Sequence, residues 1–115
     1  MITIVLVVLV AVLHAYFLYL EMFGWEAPRT RAAFGTTAEF ASKTKTLAAN
    51  QGLYNGFLAA GIVFSLYIGD RPALSFCLAC VIVAGVYGAI SVSRRILFIQ
   101  ALPAALALIA VLLKL

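Results

Sequence analysis

Long apolar runs separated by short polar breaks organise this chain. From Ile2 to Met22 only His14 and Glu21 are ionisable. Further apolar runs occupy residues 47–68, 73–92 and 96–115. An α-helix needs roughly 20 apolar residues to cross a hydrocarbon core of about 30 Å. The pattern therefore predicts an all-α protein, a membrane four-helix bundle with residues 1–115 as one transmembrane domain. No internal repeat is apparent.

The breaks carry the local signals. Phe23, Gly24 and Trp25 follow the first run, and Trp25 suits the membrane–water interface. Residues 26–46 form the one long polar connection, where Pro28 breaks any continuation of helix one. Thr36 and Glu39 have the spacing of a capping box, so helix two is expected to begin near Thr37, ahead of the membrane. Phe34 and Phe40 are expected to dip into the interface. Gly69-Asp70-Arg71-Pro72 reads as a tight turn, and Ser93-Arg94-Arg95 as the last break. Pro103 lies inside helix four, where a membrane helix tolerates a kink.

Composition strengthens the membrane reading. The chain has 115 residues, 66% of them hydrophobic and only 10% charged. Its mean hydropathy is +1.16. A soluble domain needs far more charge to cover its surface. Four spans leave no room for a second domain. The first run lacks a basic leader and a small-residue cleavage site, so it is expected to be a retained helix rather than a signal peptide.

The formal net charge of +4 marks topology rather than nucleic-acid binding, because the basic residues sit between apolar runs. With four spans, Arg29, Arg31, Lys43, Lys45, Arg94 and Arg95 share one side, and only Arg71 and Lys114 the other. The positive-inside rule then places the long loop in the cytoplasm and both termini outside, in a cell-membrane protein.

In that orientation the polar side chains of the spans gather toward the cytoplasm. Glu21 ends helix one, and Asn50, Gln51, Tyr54 and Asn55 open the membrane part of helix two. Tyr87, Ser91 and Gln100 lie in the same half, and His14 near mid-membrane. His14 and Glu21 are seven residues apart and share a helix face. Helix two also carries a small-residue ridge of Ala48, Gly52, Gly56 and Ala60. The stripe Cys77, Cys80, Ala84, Gly88 and Ser91 of helix three is its expected partner.

Each feature has a bland alternative. His14 could relay protons or hold a ligand, and Glu21 could simply pair with Arg94 or Arg95. One His and one Glu make a poor metal site, since zinc takes at least three protein ligands, and no metal is expected. The four polar groups of helix two could be interhelical glue. Cys77 and Cys80 have CxxC spacing, but membrane thiol oxidoreductases need a second cysteine pair and this chain has two cysteines in all. Packing is the better reading. Arg94 and Arg95 are foremost topology residues. With Lys43 and Lys45 they could also receive a carboxylate, a phosphate or a glutathione-like anion. Small glutathione-binding membrane enzymes offer only an architectural analogy, because Leu53 stands where their motif has an acid.

Two stretches resemble a known family. His14-Ala15-Tyr16-Phe17 and Leu20-Glu21-Met22-Phe23 are followed by Trp25 and by Asn50-Gln51-Gly52-Leu53-Tyr54-Asn55-Gly56. This pattern is similar to domain-of-unknown-function family 1304, small membrane proteins of bacteria and some fungi, and extends over the whole chain. The resemblance implies the four-helix membrane fold and no particular activity or cofactor.

The leading expectation is a cytoplasm-facing polar pocket for a small amphipathic or anionic ligand. His14, Glu21, Asn50, Gln51, Tyr54 and Asn55 would line it, with Arg94 or Arg95 near its mouth. The alternatives are a small transporter acting as an oligomer, or an accessory membrane subunit. The partners expected are the lipid bilayer, a small molecule and a second copy of the chain.

Overall fold

A computed structural model describes residues 1–115. The protein is all-α, with five helices and no strand. Helix α1 spans Ile2–Met22, α2 Pro28–Phe34, α3 Ala38–Ile68, α4 Arg71–Ser91 and α5 Leu102–Leu112. A π-helical stretch, Leu97–Ala101, leads into α5. Helices α1, α3 and α4 are each long and apolar enough to cross a membrane. The apolar stretch Leu97–Leu112 is shorter, about 24 Å at 1.5 Å per residue.

The helix ends follow from local chemistry. Pro28 does more than stop α1: it occupies the first turn of the separate helix α2. Proline is favoured there because its missing N–H would have had no partner anyway and its φ is preset. Gly35, at φ 70°, ends α2 in the left-handed conformation that favours glycine. The cap of α3 falls on Thr37 rather than Thr36: its hydroxyl accepts from the Phe40 N–H at 3.1 Å. Gly69, at φ 71°, ends α3. Asp70 then caps α4, its Oδ1 accepting from the Ala73 N–H at 2.9 Å.

Pro103 acts one turn upstream. Lacking an N–H, it cannot bond the carbonyl four residues earlier. The preceding turn widens, and the Leu102 N–H reaches back five residues to the Leu97 oxygen.

The chain divides into two compact units. One holds residues 1–13 and 58–115, the other residues 14–57. The first has a core of Val7, Val10 and Ala11 from α1, Ile62 from α3, Leu74, Leu78 and Val81 from α4, and Ala104, Ala107 and Val111 from α5. These positions recur at three- and four-residue steps, one stripe per helix. Small residues let α4 and its successor approach closely. A Cβ on Gly85 would lie 2.8 Å from the Ala101 backbone nitrogen, and one on Gly88 would lie 3.1 Å from Ile96 Cγ2.

Outside this core large apolar side chains face outward. Tyr67 is 88% exposed, Ile90 83% and Phe76 70%. Exposed apolar surface on this scale marks a surface meant for another apolar phase.

The second unit packs the C-terminal part of α1 on the N-terminal part of α3, with α2 between them in sequence. The glycines of the α3 ridge make this possible. A Cβ on Gly52 would come 2.8 Å from Met22 Cγ and 3.0 Å from Glu21 Cβ, and one on Gly56 would strike Leu18. At these glycines the ridge therefore meets α1, and not the Cys77–Ser91 stripe expected to fill it. Trp25 is half-buried here. Its Nε1 donates to Thr44 Oγ1 at 3.0 Å, and its ring meets Phe34 edge-on at 5.0 Å.

Candidate functional site

The site starts from one residue, Glu21. It lies in the last turn of α1, on the face that α3 covers, and is 2% exposed. A buried carboxyl requires hydrogen-bond partners. Asn55 Nδ2 donates to its Oε1 at 2.5 Å, and Gln51 Nε2 donates to its Oε2. Residues 51 and 55 are one helical turn apart, so their side chains stack on one face of α3 and reach the two carboxyl oxygens together. Gly52 lies between them on the side that touches α1. Its missing Cβ lets the helices come close enough for these short side chains to span the gap.

With both amide NH2 groups turned to the carboxyl, the amide oxygens of Gln51 and Asn55 remain as acceptors. The cluster is thus rich in acceptors. It suits a hydrogen-bond donor or a cation better than an anion.

The other expected residues are distributed differently. His14 is 1% exposed and meets Phe17 edge-on, with ring centres 5.3 Å apart. It shares the buried face of α1 with Glu21, two turns away. Asn50 and Tyr54 lie on the outward side of α3; Tyr54 is 60% exposed, and its ring contacts Phe57 at 5.7 Å. The two polar pairs of α3 thus part company. Half-buried Asn55 and exposed Gln51 both reach Glu21, while Asn50 and Tyr54 do not join them. Arg94 and Arg95 are exposed in the turn after α4, within the other unit. Glu21 has carboxamides as its partners instead of the arginines of the bland alternative. Cys77 and Cys80 are free thiols, both half-buried. No group of three metal-ligating side chains is present.

A second polar assembly was not foreseen from the sequence. Within the larger unit an open cleft of about 400 Å³ is lined by Thr3, Ser65, Asp70, Arg71 and Lys114 over a floor of Leu66, Leu74 and Val111. Arg71 Nη2 donates to the Val111 carbonyl at 2.6 Å, and Thr3 Oγ1 donates to the Ala110 carbonyl at 3.1 Å. Both carbonyls belong to the last turn of α5, where helix oxygens lack intrahelical partners. The only advance sign was the Asp70-Arg71 pair in a turn.

Fold and site together define an all-α protein with three helices of membrane-crossing length and a buried carboxyl held by two carboxamides. The chain belongs to the family described as "Protein of unknown function (DUF1304)", whose model matches residues 8–112. It is similar to the uncharacterized protein YpaA of Lactococcus lactis subsp. lactis (strain IL1403), with 32% identity over 111 residues that cover 93% of each chain. No solved structure matches it.

Proposed function

We propose that this is an integral protein of the cell membrane that crosses the bilayer four times as a helical bundle. Its termini face outward and its α1–α3 connection faces the cytoplasm. On the cytoplasmic side, Glu21, Gln51 and Asn55 bind a small amphipathic molecule through its hydrogen-bond donors. The observation that carries this reading is the Glu21 carboxyl, 2% exposed in a membrane-length helix and held on both oxygens.

Structural glue accounts for it less well. Interhelical hydrogen bonds in membranes average about 0.6 kcal/mol each. Burying an acid in a span costs about 2.5–3.5 kcal/mol at the helix centre, and less toward its end. Two neutral amides would hold α1 to α3 as well without that cost. An ionisable group in this position is a functional site by default.

The test is thermal denaturation in a non-ionic detergent with dodecylamine or dodecanoate added. A specific ligand of the folded state raises the midpoint by mass action. The amine should raise it, Glu21→Gln should abolish that rise, and any rise with the acid should not depend on Glu21. No shift with the amine, or an amine shift that survives Glu21→Gln, overturns the reading.

A second reading is a small exporter. It draws on His14 and Glu21, both buried on one face of α1. Flux of an amphipathic cation in proteoliposomes should then drop in Glu21→Gln. Flux equal to that of empty liposomes rejects it.

A further inference from the structure

The cleft beside the α3–α4 turn holds two cationic side chains, Arg71 and Lys114, and one acid, Asp70. Asp70 is already engaged as the cap of α4, so the start of that helix is satisfied within the chain. Arg71 is anchored by one N–H on Val111, which leaves four of its five donors. Lys114 also lines the cleft, as a second, exposed cation. Thr3 and Ser65 add hydroxyls to the wall, and Ser65 is 4% exposed.

Two cations with one capped acid give a pocket with a positive surplus. Arg and Lys are the side chains that hold phosphate, the guanidinium by paired N–H donors and the ammonium as a point charge. Next in the chain to the lining residues stand exposed apolar ones: Ile2 is 56% exposed, Ile68 51%, Leu112 61% and Leu113 64%. A free phosphate has no use for such a rim. Acyl chains do.

We propose that this cleft is a binding site for a phospholipid. The headgroup phosphate lies between Arg71 and Lys114 and takes hydrogen bonds from the remaining Arg71 N–H donors and the Lys114 ammonium. The acyl chains run along the exposed apolar faces below. The site is independent of the Glu21 cluster and uses none of its residues.

The experiment is native mass spectrometry of the detergent-purified chain. It is incubated with phosphatidylglycerol, with diacylglycerol of the same acyl chains, or with glycerol phosphate. The first comparison isolates the phosphate and the second isolates the tails. Basic side chains near a lipid surface contribute about fivefold each in binding. Phosphatidylglycerol should be retained about 25-fold more than diacylglycerol, about fivefold for each of the two cations, and at least about fivefold more than glycerol phosphate. Lys114→Gln should reduce that preference about fivefold, and the pair Arg71→Gln with Lys114→Gln should remove it. Arg71→Lys keeps the charge and should retain most of it, which separates loss of charge from loss of the Val111 anchor. Equal retention of phosphatidylglycerol and diacylglycerol overturns the proposal. So does unchanged preference in the doubly substituted protein. Glycerol phosphate bound as well as the lipid overturns the assignment to a phospholipid.

Discussion

Asn55 of α3 donates to Glu21 of α1 at 2.5 Å, across a contact kept close by a glycine. Gln51, one turn earlier, takes the other carboxyl oxygen. A single helix face thus holds both ends of one buried carboxyl.

Removing one of these donors should be costly where removing an exposed neighbour is not. Asn55→Ala leaves a buried oxygen without its partner, a loss of about 1–3 kcal/mol. Asn50→Ala, on the outward side of the same helix, should stay within about 0.5 kcal/mol. Denaturation titrations of the two variants in mixed micelles compare them directly. Equal losses would mean that the Glu21 contact is not formed.

The glycine contacts make a graded prediction. Gly85→Ala puts a methyl group 2.8 Å from the Ala101 nitrogen, and backbone cannot swing aside. A loss of about 1–3 kcal/mol is expected from such overpacking. Gly69→Ala meets open space but must hold φ 71°, which costs roughly 1–2 kcal/mol for a residue with a Cβ. Gly52→Ala should resemble Gly85→Ala and also disturb Glu21. Thermal midpoints with Gly85→Ala unchanged would refute the close approach of α4 to the turn before α5.

Trp25 is the single tryptophan, so its emission reports one place. Its Nε1 bond to Thr44 and its half-buried ring predict emission blue-shifted from that of a tryptophan in water. In bilayers a quencher at headgroup depth should act more strongly than one at the chain ends. Stronger quenching from the bilayer centre would move Trp25 out of the interface. Trp25→Phe should cost about 0.5–1.5 kcal/mol, because Thr44 keeps its own bond to the Phe40 carbonyl.

Orientation can be read with thiol chemistry. In a Cys77→Ala, Cys80→Ala background, Arg29→Cys and Ser93→Cys should react with a membrane-impermeant maleimide only after the cells are opened. Lys114→Cys should react in intact cells. The reverse pattern would invert the topology, and placement of all three on one side would remove a span.

Much of the fold was legible because it is local. The apolar runs between polar breaks correspond to α1, α3, α4 and the stretch leading through α5, since run length and breaker residues act within a few positions of themselves. Helix α2 was missed for an equally local reason: Pro28 was read as a stop, yet proline starts a helix as readily as it ends one. At the site, Glu21 was legible as an ionisable residue in an apolar run. The sequence did not say which polar pair of helix two would meet it. Gln51 with Asn55 and Asn50 with Tyr54 are equally spaced and equally polar.

That choice depends on the rotation of α3 about its axis, and neighbouring residues differ by about 100° in direction. Lipid offers no hydrophobic drive to set this rotation, so small residues and polar contacts decide it. Gly52 and Gly56 admit α1 on their side, and Gln51 and Asn55 reach Glu21 there. The cleft of Thr3, Ser65, Asp70, Arg71 and Lys114 likewise draws on separate segments of chain, each unremarkable alone. By itself the sequence determined where the long apolar helices form, because run length and composition are properties of continuous segments. Only the tertiary structure decided which faces meet, because that is a property of pairs of helices distant in the chain.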